Sequence, residues 1–395
     1  MKRHLIGVGG VGMSALATAL VRCGDVVTGA DRNLSTPNIA FLASLGVACF
    51  PDDGSGVDES TDEVIVSTAI EQDNPGLLRA QALGIPVTHR ARALARTLEQ
   101  RRLVAVVGTC GKSTVTAMLG HILTECGFDP FCVNGANVPG WEGAVRAGCG
   151  DLAVVEVDES DKSLVAFKPY AAVVTNASAD HYSKEEMDEV FDAFICDIPG
   201  PIVDGRVCMG EVPVSLPGRH NRNNAFLALE MAKRLGCGED AARAALLSFR
   251  GVERRLQRYG TVVYDDYAHN PEKIKAMWTT LAEAHPGGLC VIWRPHGYAP
   301  LRKMMDALAV MFNETIRPQD RLILLPVYDA GGTADRSVSS QELASRIGLC
   351  ELVPSHEAAL EWVCEHASRF EAFATCGARD TALPRLAESI AALCG

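Results

Sequence analysis

Short apolar runs alternate with amphipathic stretches along almost the whole chain. The runs have the length and β-branched content of buried strands, and the stretches between them space their apolar residues as one face of a helix. The clearest strands are LVAVV at residues 103–107, LAVV at 152–155 and AAVVT at 171–175. This alternation predicts an α/β fold built on mainly parallel sheets.

The chain has 395 residues, which is enough for two or three domains of about 100–200 residues each. The arginine-rich QRR at residues 100–102 interrupts the alternation, and a further series of strand and helix units starts at about Thr261. We expect domains of residues 1–101, 102–252 and 253–395.

The first of the three clear strands runs directly into GTCGKST, the pattern of a phosphate-binding loop. Gly108 and Gly111 allow backbone N–H groups to approach anionic oxygens. Lys112 adds a positive charge, and Ser113 can place a hydroxyl on Mg²⁺. The pattern is not a full Walker A motif, because Val106 occupies the position of its first glycine. The alternative is a glycine turn into an amphipathic helix that carries the lysine by chance.

A second glycine-rich turn follows the first strand of the chain, HLIGVGGVG. Gly7, Gly9 and Gly12 form a GxGxxG fingerprint that opens an alanine- and leucine-rich helix. Asp31 ends the next strand, where an acid that binds a ribose hydroxyl is expected. The first domain is therefore predicted to bind a nucleotide or its diphosphate, and the pattern does not restrict this to NAD. Tight packing of strand on helix without a ligand is the alternative.

Polar side chains follow two buried strands of the central domain. Glu156 ends LAVV and is followed by further acids, and His181 comes shortly after AAVVT. The carboxyl ends of parallel strands form the ligand crevice of an open sheet, so these side chains are expected beside Lys112 and Ser113. Oxygen ligands there favour a divalent cation such as Mg²⁺. A solvated turn for the acids and a structural His181 are the alternatives.

A polar loop, GRHNRNN, enters the last large helix of the central domain. It places Asn221 and Asn224 at the mouth of that helix. Amide side chains there can hydrogen-bond an adenine edge or cap the helix, and the sequence leaves both roles open.

Four predicted strands of the third domain also end in polar residues, and each is followed by a helix. The first delivers Asp266 and His269, and the second delivers His296 and Arg302. This repeats the arrangement of the central domain and predicts a second nucleotide-like sheet.

The composition of the chain argues against several classes of function. The net charge of -12 argues against non-specific binding to nucleic acid or to a membrane surface. No apolar run approaches the roughly 20 residues of a membrane span. The 14 cysteines show no CxxC pair and no metal-like spacing, so we expect reduced thiols and a cytoplasmic protein. The expected partners are small-molecule substrates, and the expected state is a monomer or homodimer.

The motifs taken in order resemble those of the Mur ligase family. They are GVGGVGMSALA, STAIEQDNP, GTCGKST, VNGANV, EVDESDKS, VTNASADH, PGRHNRNNA, FRGVERR, DDYAHNP, RPHGYAPLR and VYDAGG. The resemblance implies a Rossmann-like N-terminal domain for a UDP-sugar and a central P-loop ATPase domain with a mainly parallel sheet. It also implies a Rossmann-like C-terminal domain that closes over ATP and brings the amino acid. It implies an amide ligase of peptidoglycan precursor synthesis that uses ATP and Mg²⁺ to join an amino acid, L-alanine first, to UDP-N-acetylmuramate through an acyl phosphate.

The resemblance also implies a role for each motif residue. The residues implied for ATP are Gly108, Thr109, Gly111, Lys112, Ser113, Thr114, Asn221, Asn224, Arg255 and Asp266. Those implied for the substrates are Gly9, Gly10, Gly12, Asp31, Ser67 and His296. Those implied for catalysis are Lys112, His181, His269 and Arg302, and those for Mg²⁺ are Ser113, Glu156 and His181.

The sequence departs from the family pattern where the amino acid is expected. Family members that use L-alanine carry PHRxxRTR, and its arginines help to hold the amino-acid carboxylate. Here Gly297 and Pro300 replace two of them and Arg302 remains. Each lost charged partner should cost about 1.5–3 kcal/mol unless another residue substitutes. Cys110 and Asn270 stand where histidines are usual, and the central domain is shorter.

Three other functions stay open at this point. A paralogue of the same chemistry with another amine or acid would account for the departures. An NAD-dependent oxidoreductase fits the first glycine motif but gives no role to Lys112 and the metal-binding side chains. An inactive nucleotide-binding regulator is opposed by the intact Lys112, Ser113, Glu156 and His181.

Overall fold

The computed structural model describes residues 1–158, 163–177, 184–329 and 335–394. Over these residues the chain forms three sheets with helices between their strands, which confirms the predicted α/β class. The chain divides into two compact units. One is Met1–Ser215 with His220–Arg250, and the other is Leu216–Arg219 with the chain from Gly251 onward.

The first sheet lies in the first unit and is parallel throughout. Its strands are β1 (Lys2–Ile6), β2 (Val26–Asp31), β3 (Ala48–Pro51), β4 (Glu63–Val66) and β5 (Val87–His89). Its helices are α1 (Val11–Arg22), α2 (Pro37–Ser44), α3 (Pro75–Ala82) and α4 (Arg90–Thr97). The strand order is β3-β2-β1-β4-β5. Leu5, Ile6 and Ile65 are fully buried, as expected for central strands covered on both faces.

The second sheet, also in the first unit, carries the predicted phosphate loop. Its strands are β6 (Arg102–Val107), β7 (Phe131–Val133), β8 (Val145–Ala147), β9 (Leu152–Glu156), β10 (Ala171–Val174) and β11 (Ile202–Asp204). Its helices are α5 (Lys112–Glu125), α6 (Lys184–Ile195), α7 (Arg219–Arg234) and α8 (Glu239–Ser248). The order is β11-β10-β6-β9-β7-β8, and only β8 is antiparallel to its neighbour. The carboxyl end of β6 therefore lies between those of β9 and β10.

The third sheet forms the second unit. Its strands are β12 (Gln257–Tyr259), β13 (Val263–Asp266), β14 (Leu289–Trp293), β15 (Arg321–Leu324), β16 (Cys350–Leu352) and β17 (Ala372–Cys376). Its helices are α9 (Pro271–Ala284), α10 (Tyr298–Thr315), α11 (Ser340–Ala344), α12 (His356–His366) and α13 (Leu383–Cys394). The order is β12-β13-β17-β14-β15-β16, and only β12 is antiparallel. The last strand thus inserts between the second and third strands of the sheet.

The sequence pattern does not predict the two antiparallel edge strands, β8 and β12. Each is only three residues long and keeps at least one side chain exposed. An alternation this short gives no usable periodicity.

His4 on β1 is a buried histidine within the first sheet. Its side chain is 1% exposed, and Nδ1 lies 2.8 Å from the Thr28 hydroxyl. A Cβ added to Gly56 would lie 2.5 Å from its Cε1, so the ring is tightly enclosed. Burial, with a smaller contribution from Lys2, lowers the pKa of His4 to about 4. The folded protein therefore holds this imidazole in its neutral form.

We expect this histidine to make the stability of the first unit depend on pH. In the unfolded chain it binds a proton below about pH 6.5, whereas in the folded chain it does so only near pH 4. Above the unfolded pKa the histidine is neutral in both states, and its contribution to stability is fully present. As the pH falls from about 6.5 to about 4, only the unfolded chain gains the proton, so the free energy of unfolding decreases. Between pH 7 and 4.5 the free energy of unfolding, measured in urea, should fall by about 2 kcal/mol more in the wild type than in His4→Phe. Equal losses in the two proteins would contradict this.

Candidate active site

The phosphate loop occupies residues 108–111, between β6 and α5. Gly111 caps α5 with φ 83°, and Gly108 has φ 130°, so both have backbone angles that favour glycine. A Cβ on Gly108 would lie 2.1 Å from the Thr175 hydroxyl, and one on Gly111 would lie 2.6 Å from Asn224 Oδ1. Both glycines are therefore required by close neighbours as well as by φ.

Thr175 and Asn176, which follow β10, hold this loop in place. The Thr175 hydroxyl donates to the carbonyl of Cys110 at 2.6 Å, and Asn176 Nδ2 donates to the same oxygen at 2.9 Å. Asn176 Oδ1 accepts from the backbone N–H of Cys110 at 3.0 Å and from the Thr109 hydroxyl at 2.6 Å. The Asn176 amide thus bonds both the backbone N–H and the carbonyl of Cys110. Sequence reasoning missed this role, although the position directly after a strand beside β6 is its signal.

The three polar side chains that follow the loop lie at the start of α5. Lys112 Nζ donates to the carbonyl of Gly108 at 2.7 Å, so the ammonium group folds back over the loop. Ser113 and Thr114 are buried in the first turn of α5. That turn presents backbone N–H groups at the positive end of the helix, the usual setting for a bound phosphate.

Glu156 ends β9 directly beside β6, where Val106 is its register partner. Its Oε2 accepts from the backbone N–H of Gly135 at 2.7 Å. A Cβ on Gly135 would lie 2.6 Å from the same oxygen, so the VNGANV loop needs glycine to approach this carboxylate. No local sequence pattern connects Gly135 with Glu156.

A magnesium site with these ligands fits the oxygen donors that the structure describes. Ser113 supplies a hydroxyl in the first turn of α5, the helix that follows β6, and Glu156 supplies a carboxylate at the end of the neighbouring strand β9. Within the described ranges no three His, Cys, Asp or Glu side chains cluster into a metal site of their own. This composition suits Mg²⁺, which usually takes one or two protein oxygens together with phosphates and water. His181, the third predicted ligand, lies outside the described residues.

Asn221 and Asn224 are both buried in the first turns of α7. Asn224 lies against Gly111, which brings its amide to the phosphate loop. The adenine contact implied for Asn224 stays a prediction.

The N-terminal glycine turn lies between β1 and α1. Asp31 Oδ2 accepts from the backbone N–H of Gly9 at 2.8 Å, and the Asn38 amide donates to the carbonyl of Gly9 at 2.8 Å. Asp31 therefore holds the turn itself, a role that the sequence did not predict for it. A Cβ on Gly12 would lie 3.0 Å from Arg90 Nη1, so a guanidinium also lies beside this turn. Gly10 caps α1, and Ser67 follows β4 with a half-buried side chain.

In the second unit, adjacent acids end β13 in different surroundings. Asp265 is fully buried and accepts from Arg254 Nε at 2.9 Å and from the Thr375 hydroxyl at 2.6 Å. Burial raises its pKa to about 6 despite these partners. Asp266 accepts from the backbone N–H groups of Leu256 and Ala268, each at 2.8 Å. Burial raises the pKa of Asp266 as well, and nearby Arg255 opposes the rise.

Two histidines meet at the ends of β13 and β14. The rings of His269 and His296 are edge to face, with centroids 4.9 Å apart. Burial lowers the pKa of His296 to about 4, assisted by His269 and Arg379. Arg302, predicted to hold the amino-acid carboxylate, forms an ion pair with Asp335 at 2.7 Å. It also donates to the Ser337 hydroxyl at 2.8 Å, so it is already engaged within the chain.

Comparison with known proteins gives two family matches. The family described as "Mur ligase family, catalytic domain" matches residues 2–102, and "Mur ligase, glutamate ligase domain" matches residues 253–379. The UDP-N-acetylmuramate–L-alanine ligase of Chelativorans sp. (strain BNC1) is 31% identical over 408 aligned positions, covering 87% of each chain. That of Arthrobacter sp. (strain FB24) is 34% identical, covering 87% of this chain and 85% of the relative. This chain belongs to the Mur ligase family.

The fold agrees with a solved Mur ligase along the whole chain. A UDP-N-acetylmuramate-alanine ligase from Thermotoga maritima superposes with a TM-score of 0.81, at 24% identity, and covers 99% of this chain and 98% of its own. As a Mur ligase, the protein is an ATP-dependent amide ligase of peptidoglycan precursor synthesis, and Mur ligases use ATP and Mg²⁺. In the described part of the chain, no helix is long and apolar enough to cross a membrane.

We expect Asn176→Ala to weaken the binding of ATP to this Mur ligase. The variant loses hydrogen bonds worth about 1 kcal/mol each that hold the phosphate loop, so KM for ATP should rise about tenfold or more. Phosphate release at varied ATP concentrations measures the change. A matched control is Asn313→Ala, which removes an amide bonded to two carbonyls of the second unit. An unchanged KM for ATP in Asn176→Ala would show that the loop does not depend on this amide.

Proposed function

We propose that this Mur ligase joins an amino acid, L-alanine first, to the carboxylate of UDP-N-acetylmuramate. One observation carries the proposal. The phosphate loop with Lys112 and the carboxylate of Glu156 end neighbouring strands of one sheet, in a chain at least 30% identical to ligases named for these substrates. The arrangement suits transfer of a phosphoryl group from ATP to an acid.

In the first step, a carboxylate oxygen of the sugar attacks the γ-phosphorus of ATP, and ADP leaves. The product is an acyl phosphate, which makes the carbonyl carbon reactive. The N–H groups of the α5 first turn and Lys112 would hold the phosphates during this transfer. Lys112 would exchange its bond to the Gly108 carbonyl for a phosphate oxygen.

Ser113 and Glu156 would hold Mg²⁺, and His181 is the third proposed ligand. When bound, Mg²⁺ neutralises the negative charge that the phosphates carry. The bond from Gly135 to Glu156 orients the carboxylate through one oxygen. A ligand positioned in this way needs little rearrangement before it binds the cation.

In the second step, the amine of the amino acid attacks the acyl carbon, and phosphate leaves from the tetrahedral intermediate. The amine must be neutral to attack, so a proton has to be removed from it. We assign the amino acid to the strand ends of the second unit that carry His269 and His296. We propose that His269 accepts this proton, with His296 in contact with it edge to face. Burial lowers the pKa of His296 to about 4, so that imidazole is neutral at neutral pH.

The UDP diphosphate is assigned to Gly9, Gly10 and Gly12 at the start of α1. The helix end and the Arg90 guanidinium beside Gly12 supply positive charge there. Asp31 is assigned to the ribose, with lone pairs that remain beside its bonds to Gly9 and Asn33.

A second candidate has the same chemistry with another amine. The observation that favours it is at PHGYAPLR, where two arginines are missing and Arg302 is paired with Asp335. Such a paralogue would form the same acyl phosphate but release phosphate with a different acceptor.

The test is phosphate release from ATP and Mg²⁺ with UDP-N-acetylmuramate and a panel of single amino acids. We expect release that requires both the sugar and L-alanine. Release with the sugar and a different amine would favour the paralogue. An absence of release with this sugar and every amine would contradict the proposed donor.

Lys112→Ala should lower this activity by about a hundredfold or more, because it removes a charge that stabilises the transferred phosphoryl group. Lys168→Ala, at an exposed position of the same unit, is the matched control and should keep full activity. Activity retained in Lys112→Ala would contradict the assigned role of the phosphate loop.

A further inference from the structure

A guanidinium lies next to Gly297 at the start of α10. Arg379 follows β17, the strand between β13 and β14. Its Nη1 is 3.8 Å from the point where a Cβ on Gly297 would stand, which is van der Waals distance. Gly297 itself is buried, whereas the Arg379 side chain is exposed. The order of the strands thus brings a guanidinium from β17 to the place where residue 297 has no side chain.

Three other arginines near these strand ends already have carboxylate partners. Arg254 is paired with Asp265 at 2.9 Å, and Arg294 is paired with Asp380 at 2.7 Å. Arg302 is paired with Asp335 in the same way. Among the described residues, Arg379 forms no ion pair and no hydrogen bond. Its donors are therefore available to an anionic ligand, whereas those of Arg254, Arg294 and Arg302 are engaged by carboxylates.

A histidine and the start of a helix lie near Arg379, and the adjacent Asp380 is paired with Arg294. His296 lies within its electrostatic reach, and His296 contacts His269 edge to face. The positive end of α10 begins at the adjoining Gly297. A planar carboxylate fits such a place, because a guanidinium can donate two parallel hydrogen bonds to it and a neutral imidazole can add a third.

We propose that Arg379 binds the α-carboxylate of the amino-acid substrate and so supplies the charge that Gly297 and Pro300 do not. The inference rests on the proposed function, since it takes the acceptor to be an amino acid. Arg379 is thereby a residue that selects acceptors carrying a carboxylate, and the same guanidinium orients the amine for attack.

The test compares L-alanine with L-alaninamide, which keeps the amine but lacks the negative charge. We expect the wild type to prefer L-alanine in kcat/KM by about ten- to a hundredfold. In Arg379→Gln that preference should shrink towards unity, through a higher KM for L-alanine, with little change in KM for ATP. A merely structural role would lower activity with both acceptors and leave the preference in place. Arg385→Gln, an exposed arginine on α13, is the matched control and should keep the wild-type preference.

The outcomes separate this inference from the proposed function. If the wild type uses another amino acid from the panel, that acid and its amide replace the alanine pair. Wild-type activity with an unchanged acid-to-amide preference in Arg379→Gln would overturn the role of Arg379 and leave the ligase assignment standing. An absence of wild-type phosphate release with this sugar and every amino acid would overturn both.

Discussion

The hydrogen bonds from Thr175 and Asn176 to Cys110 are the constraint on which the chemistry of this ligase depends. β10 and β6 are parallel neighbours in register up to Val174 and Val107, so residues 175 and 176 reach the loop without any long connection. They fix its backbone while leaving the first turn of α5 available to phosphates. The same closeness explains Gly108, where any Cβ would meet the Thr175 hydroxyl.

Positive side chains close to each binding site must attract the anionic substrates, because the chain as a whole is negatively charged. The chain carries a net charge of -12, while ATP, the proposed UDP-sugar and the carboxylate of the proposed amino acid are all anionic. Many arginines of the described chain are held by carboxylates, as Arg206 is by Asp188, Asp192 and Asp204. Such pairs stabilise the fold but leave little positive charge for ligands. An arginine without such a partner, as at residue 379, is therefore informative about where an anion binds.

The fold class, the phosphate loop and the order of its elements could be predicted because their signals are local in sequence. Strand length, glycine spacing and the adjoining lysine all lie within a few residues of one another. The bond from Asn176 to Cys110 joins residues 66 positions apart, and no local pattern carries that information. The meeting of Gly297 and Arg379 depends on the last strand inserting between β13 and β14, which the order of elements along the chain does not reveal. From the sequence, Asp31 is expected to bind a ribose and Arg302 the amino-acid carboxylate. The structure shows that each also has a partner within the chain, Gly9 for Asp31 and Asp335 for Arg302.

The proposed reaction passes through an acyl phosphate formed from ATP and the sugar carboxylate. Its most direct test is UDP-N-acetylmuramate labelled with heavy oxygen in the carboxylate, incubated with the protein, ATP, Mg²⁺ and L-alanine. We expect one labelled oxygen in each inorganic phosphate released, because the bond between the acyl carbon and the phosphate oxygen is the one that breaks. Amide formation with no label in the phosphate would contradict it.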